Sequence, residues 1–148
     1  MSAHPPFPFA RAIADLEAFC SDPAGAAPAW MQPWMPGATD DPAALAQSLI
    51  VLLKARAATM QAAADTAFIA DELRKFQKYA KPGRPSAHII QLRQKQAAAR
   101  QATNVARQSL IKAANAIIRQ ARVEVPERVS LDAFIVAWMD ASVPSDKA

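Results

Sequence analysis

The sequence has one cysteine, Cys20, and only three glycines in 148 residues. A lone cysteine cannot form a disulfide within the chain, and no CxxC pair or Cys/His cluster is present to bind zinc. We therefore predict no metal site and no cofactor. Because disulfides belong to oxidising compartments, this cysteine usage favours a cytoplasmic protein.

Motifs of the common enzyme classes are absent as well. The chain contains no GxxxxGK[ST], GxGxxG, GxSxG or HExxH pattern. His4 and His88, the only two histidines, stand in no recognisable arrangement with a nucleophile or a carboxylate. The sequence therefore predicts a protein that is not an enzyme.

Long apolar runs are also missing. The longest, from Leu49 to Leu53, is closed by Lys54 and Arg56, whereas a membrane-spanning helix needs about 20 predominantly apolar residues. Residues 1–20 lack a basic leader followed by an unbroken apolar stretch, which predicts no secretory signal. We expect no membrane span.

Helical spacing dominates what is present, and no stretch alternates apolar and polar residues as a strand would. Asp40 or Asp41 caps a helix that meets no breaker before Pro82, and a second long helix must end before Pro126. Two helices of matching length joined by a tight turn lie antiparallel. The predicted hairpin comprises residues of about 42–81 and 86–122.

The complete prediction is an all-α single domain of residues 1–148. Shorter helices, at about 8–21 and 130–141, pack on the hairpin in a four-helix arrangement. Residues 22–40 are rich in proline and glycine and are expected to be irregular.

Both long helices carry an apolar seam with steps of three and four residues, large at its ends and small in its middle. In the first helix the seam is Leu45, Leu49, Leu52, Arg56, Thr59, Ala63, Thr66, Ala70 and Leu73. In the second it is Ile89, Leu92, Gln96, Ala99, Thr103, Ala106, Leu110, Ala113 and Ile117. The polar members interrupt the seam and either fix its register or mark a hydrated stretch.

Acidic residues are missing from one long part of the chain. Residues 73–123 carry twelve lysines and arginines and no carboxylate, so their net charge is +12. Residues 1–72 have a net charge of −5 and residues 124–148 of −3, which gives the chain its +4. A modest total therefore conceals a strongly dipolar charge distribution.

Three arginines in this part are spaced seven residues apart, so Arg93, Arg100 and Arg107 form a stripe along one helix. Forked guanidinium donors suit phosphate oxygens and base edges. We therefore predict a non-enzymatic protein whose basic hairpin binds a polyanion, and nucleic acid is the polyanion we expect. The predicted nucleic-acid-binding residues are Lys81, Arg84, Arg93, Lys95, Arg100, Arg107, Lys112 and Arg119.

The interhelical turn, KPGRP at 81–85, resembles the core of an AT-hook, in which a Gly-Arg-Pro unit enters the minor groove of DNA. Pro82 stands where that motif carries a basic residue. A tight turn bent by Gly83 and the prolines explains the same residues without DNA. Both interpretations present Arg84 at the hairpin tip.

Two alternatives remain open at this stage. The acids of the first and last segments could lie across the basic helix and neutralise it, leaving a self-contained scaffold or a head-to-tail assembly. The chain could also be an adaptor or assembly subunit with a protein partner, or a homo-oligomer, docking through the long hairpin and an apolar loop. The loop residues of that predicted partner site are Trp30, Met31, Trp34 and Met35, although such a loop more often seals the end of a bundle.

Overall fold

A computed structural model describes residues 7–22, 27–34, 41–78, 86–121 and 123–146. These residues form four α-helices and one short 3-10 helix, with no strand among them. The α-helices are α1 (Ala10–Ser21), α2 (Pro42–Gln77), α3 (Ala87–Ala121) and α4 (Leu131–Ser142). The predicted all-helical architecture is confirmed, with shorter helices flanking a pair of long ones.

Local capping chemistry sets where the long helices begin. The side chain of Asp41 accepts a hydrogen bond from the backbone N–H of Ala44 at 3.1 Å, and Pro42 occupies the first turn of α2. The hydroxyl of Ser86 accepts from the N–H of Ile89 at 3.2 Å, which caps α3 in the same way. Residues 79–85 and 122 lie outside the described residues. The predicted last residues of the two long helices, 81 and 122, and the turn between the helices therefore lie outside them as well.

Every apolar position of the predicted α3 seam is buried. In the middle of α2, the buried residues differ from the predicted seam. Ala62 is buried there and Ala63 is exposed, so the prediction for Ala63 is wrong. Residues 62–64 are all alanine, so side-chain size does not decide which of them faces α3.

The core is concentrated at one end of the hairpin, in the half formed by residues 42–56 and 107–121, which we call the proximal half. There α1 packs mainly against α2, and α4 packs against α3. The fully buried large side chains of this core are Leu16, Met31, Leu45, Leu49, Leu52, Leu53, Ile117, Ile135 and Met139.

The other half, residues 57–78 and 86–106, is a two-helix extension that we call the distal half. Its apolar cluster contains only Leu73, Ile89 and Leu92 as buried members, with Ile69 packed against them. Between the two clusters the helices meet through small residues such as Ala62 and Ala99. The four-helix arrangement therefore covers the proximal half alone.

The proline-rich segment contains a short element that the sequence does not predict. Residues Ala29–Trp34 form a 3-10 helix, which places Met31 fully inside the proximal core. Within the described part of 22–40, this helix is the one regular element in a segment expected to be irregular.

One helix among the described residues, α2, is long and apolar enough to cross a membrane by length and composition alone. Its best window of 18 residues has a mean hydropathy of 1.3, and 39% of that window is buried within the fold. Core helices of soluble proteins have the same properties, so this is weak evidence. The absence of a membrane span stays a prediction.

Candidate nucleic-acid interface

The arginine stripe lies on α3 and begins on the distal half of the hairpin. Arg93 and Arg100 are exposed, and no carboxylate of the described residues lies within ion-pair distance of either. A spacing of seven residues corresponds to about 10 Å along the helix axis. Two guanidinium groups are thus presented to solvent on one side of the helix.

Arg107, the third member of the stripe, has an acidic partner. Its Nε donates a hydrogen bond to Oδ2 of Asp132 at 3.1 Å, which joins α3 to the first turn of α4. The Arg107 side chain is 62% exposed and that of Asp132 is 29% exposed. Intramolecular neutralisation, which the sequence leaves open as an alternative, therefore occurs at one of the three positions.

The Asp132 carboxylate is held in its charged form by the start of α4. Its pKa lies below the ordinary value, chiefly because Ser130 donates a hydrogen bond to the carboxylate. The positive charge of Arg107 and the backbone N–H groups of Ala133 and Asp132 lower the pKa further, while burial opposes them. Asp132 is thus a fixed negative charge beside the stripe.

The remaining predicted cations do not gather on the same surface. Lys95, Lys112 and Arg119 are all exposed. At about 100° per residue, they lie about 160°, 140° and 120° around α3 from the stripe arginine nearest to each along the chain. Lys95 also lies about 100° or more from Lys112 and Arg119. Lys81 and Arg84 lie outside the described residues. The described part of the predicted interface is therefore spread around one helix.

The two contacts of the largely buried Arg56 side chain are the main feature that the sequence did not predict. The sequence places Arg56 as a polar interruption of the α2 seam. In the structure its Nη1 donates to the carbonyl oxygen of Val136 and its Nη2 to Asp140, both at 3.4 Å. Its side chain is 13% exposed. Arg56 thus links α4 to α2. The only sign of this contact in the sequence is a positively charged residue within an apolar seam.

The residues of the predicted partner-binding loop differ in how far they are buried. Met31 is fully buried and is not presented to a partner in this structure, while Trp30 is half-buried against the core. The side chain of Trp34 and all of Met35 lie outside the described residues. The burial of Met31 agrees with a loop that seals the end of the bundle.

A shallow groove of about 560 Å³ runs between α2 and α3 in the proximal half. Alanines, serines and Val51 line it together with three longer polar side chains, Gln47, Lys112 and Gln120. Val51 is 50% exposed. Among the residues that line the groove, Lys112 is the only charged one.

No group of three or more His, Cys, Asp or Glu side chains that could hold a metal ion occurs in the described part of the chain.

The fold and the surface define the class of the protein as an all-helical hairpin protein with a partly neutralised arginine stripe. No protein-family model, curated protein or solved structure matches the chain.

Proposed function

We propose that the protein binds nucleic acid through the exposed arginines of α3, without catalysing a reaction. The observation that supports this proposal best is the pair Arg93 and Arg100, which face solvent with no carboxylate partner among the described residues. Unpaired guanidinium groups repeated along a rigid helix can contact successive phosphates.

The distribution of charge favours the same function. The acid-free part of the chain carries a net charge of +12, and a positive field of this kind attracts a polyanion before contact is made. Phosphate contacts release counterions, so affinity should fall steeply as salt is raised. A cytoplasmic location and a role as a binding module are parts of this proposal.

The test is a fluorescence anisotropy titration at low salt with a labelled 20-base-pair duplex and, separately, a single-stranded RNA. We expect Arg100→Glu to weaken binding at least about tenfold, because it removes one phosphate contact and adds repulsion. Arg128→Glu is the matched control, since Arg128 is exposed outside α3 and the variant has the same net charge. Equal affinity for wild type and Arg100→Glu would contradict the proposal.

The second candidate function is assembly, through contacts with a protein partner or a second copy of the chain. The groove between α2 and α3 supports it, because the alanines and serines among its lining residues leave room for another helix. Exposed Val51 adds apolar surface there. A protein of this kind would gain its function from association instead of phosphate contacts.

Light scattering at low and high salt separates the two candidates. A discrete oligomer that forms without nucleic acid and persists at high salt favours assembly. A monomer that binds nucleic acid only at low salt favours the arginine stripe. The substitution Val51→Glu should dissociate an oligomer built on the groove and leave binding by Arg93 and Arg100 unchanged.

A further inference from the structure

The arginine stripe ends where α4 begins. Continuing it by one more step of seven residues from Arg107 leads to Ala114, which is fully buried in the core that also contains Ile135 and Met139 of α4. Arg107 therefore stands at the boundary between the open surface of α3 and the part that α4 covers.

The negative charges of α4 are directed at the hairpin. Within its twelve residues α4 has two acids, Asp132 and Asp140, and no base. Both form ion pairs with hairpin arginines, Asp132 with Arg107 and Asp140 with Arg56. An acidic helix thus lies beside the basic one.

Asp132 cannot readily move away from Arg107. Ile135 and Met139 are fully buried, and Arg56 bonds to the carbonyl of Val136 and to Asp140 farther along the helix. A phosphate approaching Arg107 therefore meets a carboxylate 3.1 Å from Nε. The two anions would compete for one guanidinium group.

We propose that Asp132 acts as an internal competitor of phosphate at Arg107 and restricts the nucleic-acid footprint to the distal part of the stripe. This inference rests on the proposed function of the stripe. Arg93 and Arg100 carry the contacts in the intact protein, and Arg107 contributes only when the carboxylate is absent.

The test compares three proteins for binding to the same 20-base-pair duplex over a salt series: wild type, Asp132→Asn and Asp140→Asn. Asp132→Asn should bind roughly three- to tenfold more tightly at 0.1 M salt, with a slope of log K against log salt steeper by about 0.9, because one phosphate contact is added. Asp140→Asn changes the net charge equally, but Asp140 pairs with Arg56 and not with a stripe arginine. The slope of log K against log salt for Asp140→Asn should therefore equal that of wild type.

The outcomes distinguish this inference from the proposed function. If wild type binds and Asp132→Asn matches Asp140→Asn in affinity and slope, the competition is overturned while the binding function stands. If wild type does not bind, the binding function fails and the competition fails with it. Should Asp132→Asn fail to fold, Arg107→Ala and Arg100→Ala supply the test: Arg107→Ala should weaken binding less than Arg100→Ala, and an equal loss would overturn the inference.

Discussion

The hydroxyl oxygens of Thr66 and Thr103 face each other across the hairpin at 3.3 Å. Each hydroxyl also contacts the carbonyl oxygen four residues earlier in its own helix, Ala62 at 2.8 Å and Ala99 at 2.9 Å. Two hydroxyl protons cannot serve three contacts at once. One of the three contacts therefore lacks a proton at any moment at this crossing, between the two apolar clusters. Both carbonyl oxygens also accept backbone N–H groups of their own helices, and Thr103 is exposed to solvent.

Replacing both threonines should cost little because it removes both polar partners together. We expect Thr66→Val/Thr103→Val and both single variants to lie within about 0.5 kcal/mol of wild type in urea denaturation, because Thr103 is exposed and water can replace a lost hydroxyl partner. Thr59→Val is the control, since the Thr59 hydroxyl bonds only to the carbonyl of Arg56 within its own helix. A double variant clearly less stable than wild type would refute this interpretation.

The start of α1 depends on a carboxylate from the far end of the described chain. Asp146 accepts hydrogen bonds from the backbone N–H groups of Ala10 at 3.2 Å and Arg11 at 3.0 Å. We expect Asp146→Ala to lower the free energy of unfolding by about 1 kcal/mol, as loss of a helix cap does. Asp146→Asn should retain most of the stability, because asparagine also caps helices well. Identical unfolding curves for Asp146→Ala and wild type would rule out a capping role.

The two halves of the hairpin should open with different free energies. The proximal half packs in a core of large, fully buried side chains, whereas the distal half has only Leu73, Ile89 and Leu92 as buried members of its cluster. Local opening is easiest where few apolar contacts are lost. Hydrogen exchange followed by mass spectrometry should show faster exchange at 60–74 and 90–104 than at 45–55 and 108–117. Equal protection in both halves would contradict this uneven stability.

Stability should depend on pH through Asp132. Its pKa is lowered in the fold from an ordinary value of 3.8, so its contribution is complete above that value and is lost as pH falls through the lower folded value. The stability difference between wild type and Asp132→Asn should be constant above about pH 5 and should shrink below about pH 4. Urea midpoints of both proteins from pH 6 to pH 2.5 measure it. A difference that stays constant over the whole range would show that the carboxylate gains nothing from its surroundings.

Local patterns predicted most of the fold. The heptad seam of α3 and the cap at Asp41 both follow from residue spacing and turn chemistry, because the interactions involved lie within a few residues. The middle of the α2 seam was less predictable, since alanines occupy several adjacent positions there and none is distinguished by size.

Contacts between distant residues could not be predicted in this way. The bond from Asp146 to α1, the pairing of Arg107 with Asp132 and the attachment of Arg56 to α4 join residues 25 to 136 positions apart. Charge composition suggested that acids could cover the basic helix, but it could not say which arginine would be covered. Within the described residues, Arg107 is the only one of the three stripe arginines that forms an ion pair with a carboxylate.

The most direct measurement of the central claim is the salt dependence of duplex DNA binding by wild type and by Arg93→Gln/Arg100→Gln. If the two arginines each neutralise one phosphate, the slope of log K against log salt should become shallower by about 1.8 in the double variant, at about 0.9 per contact. Equal slopes for the two proteins would contradict the claim that these arginines bind nucleic acid.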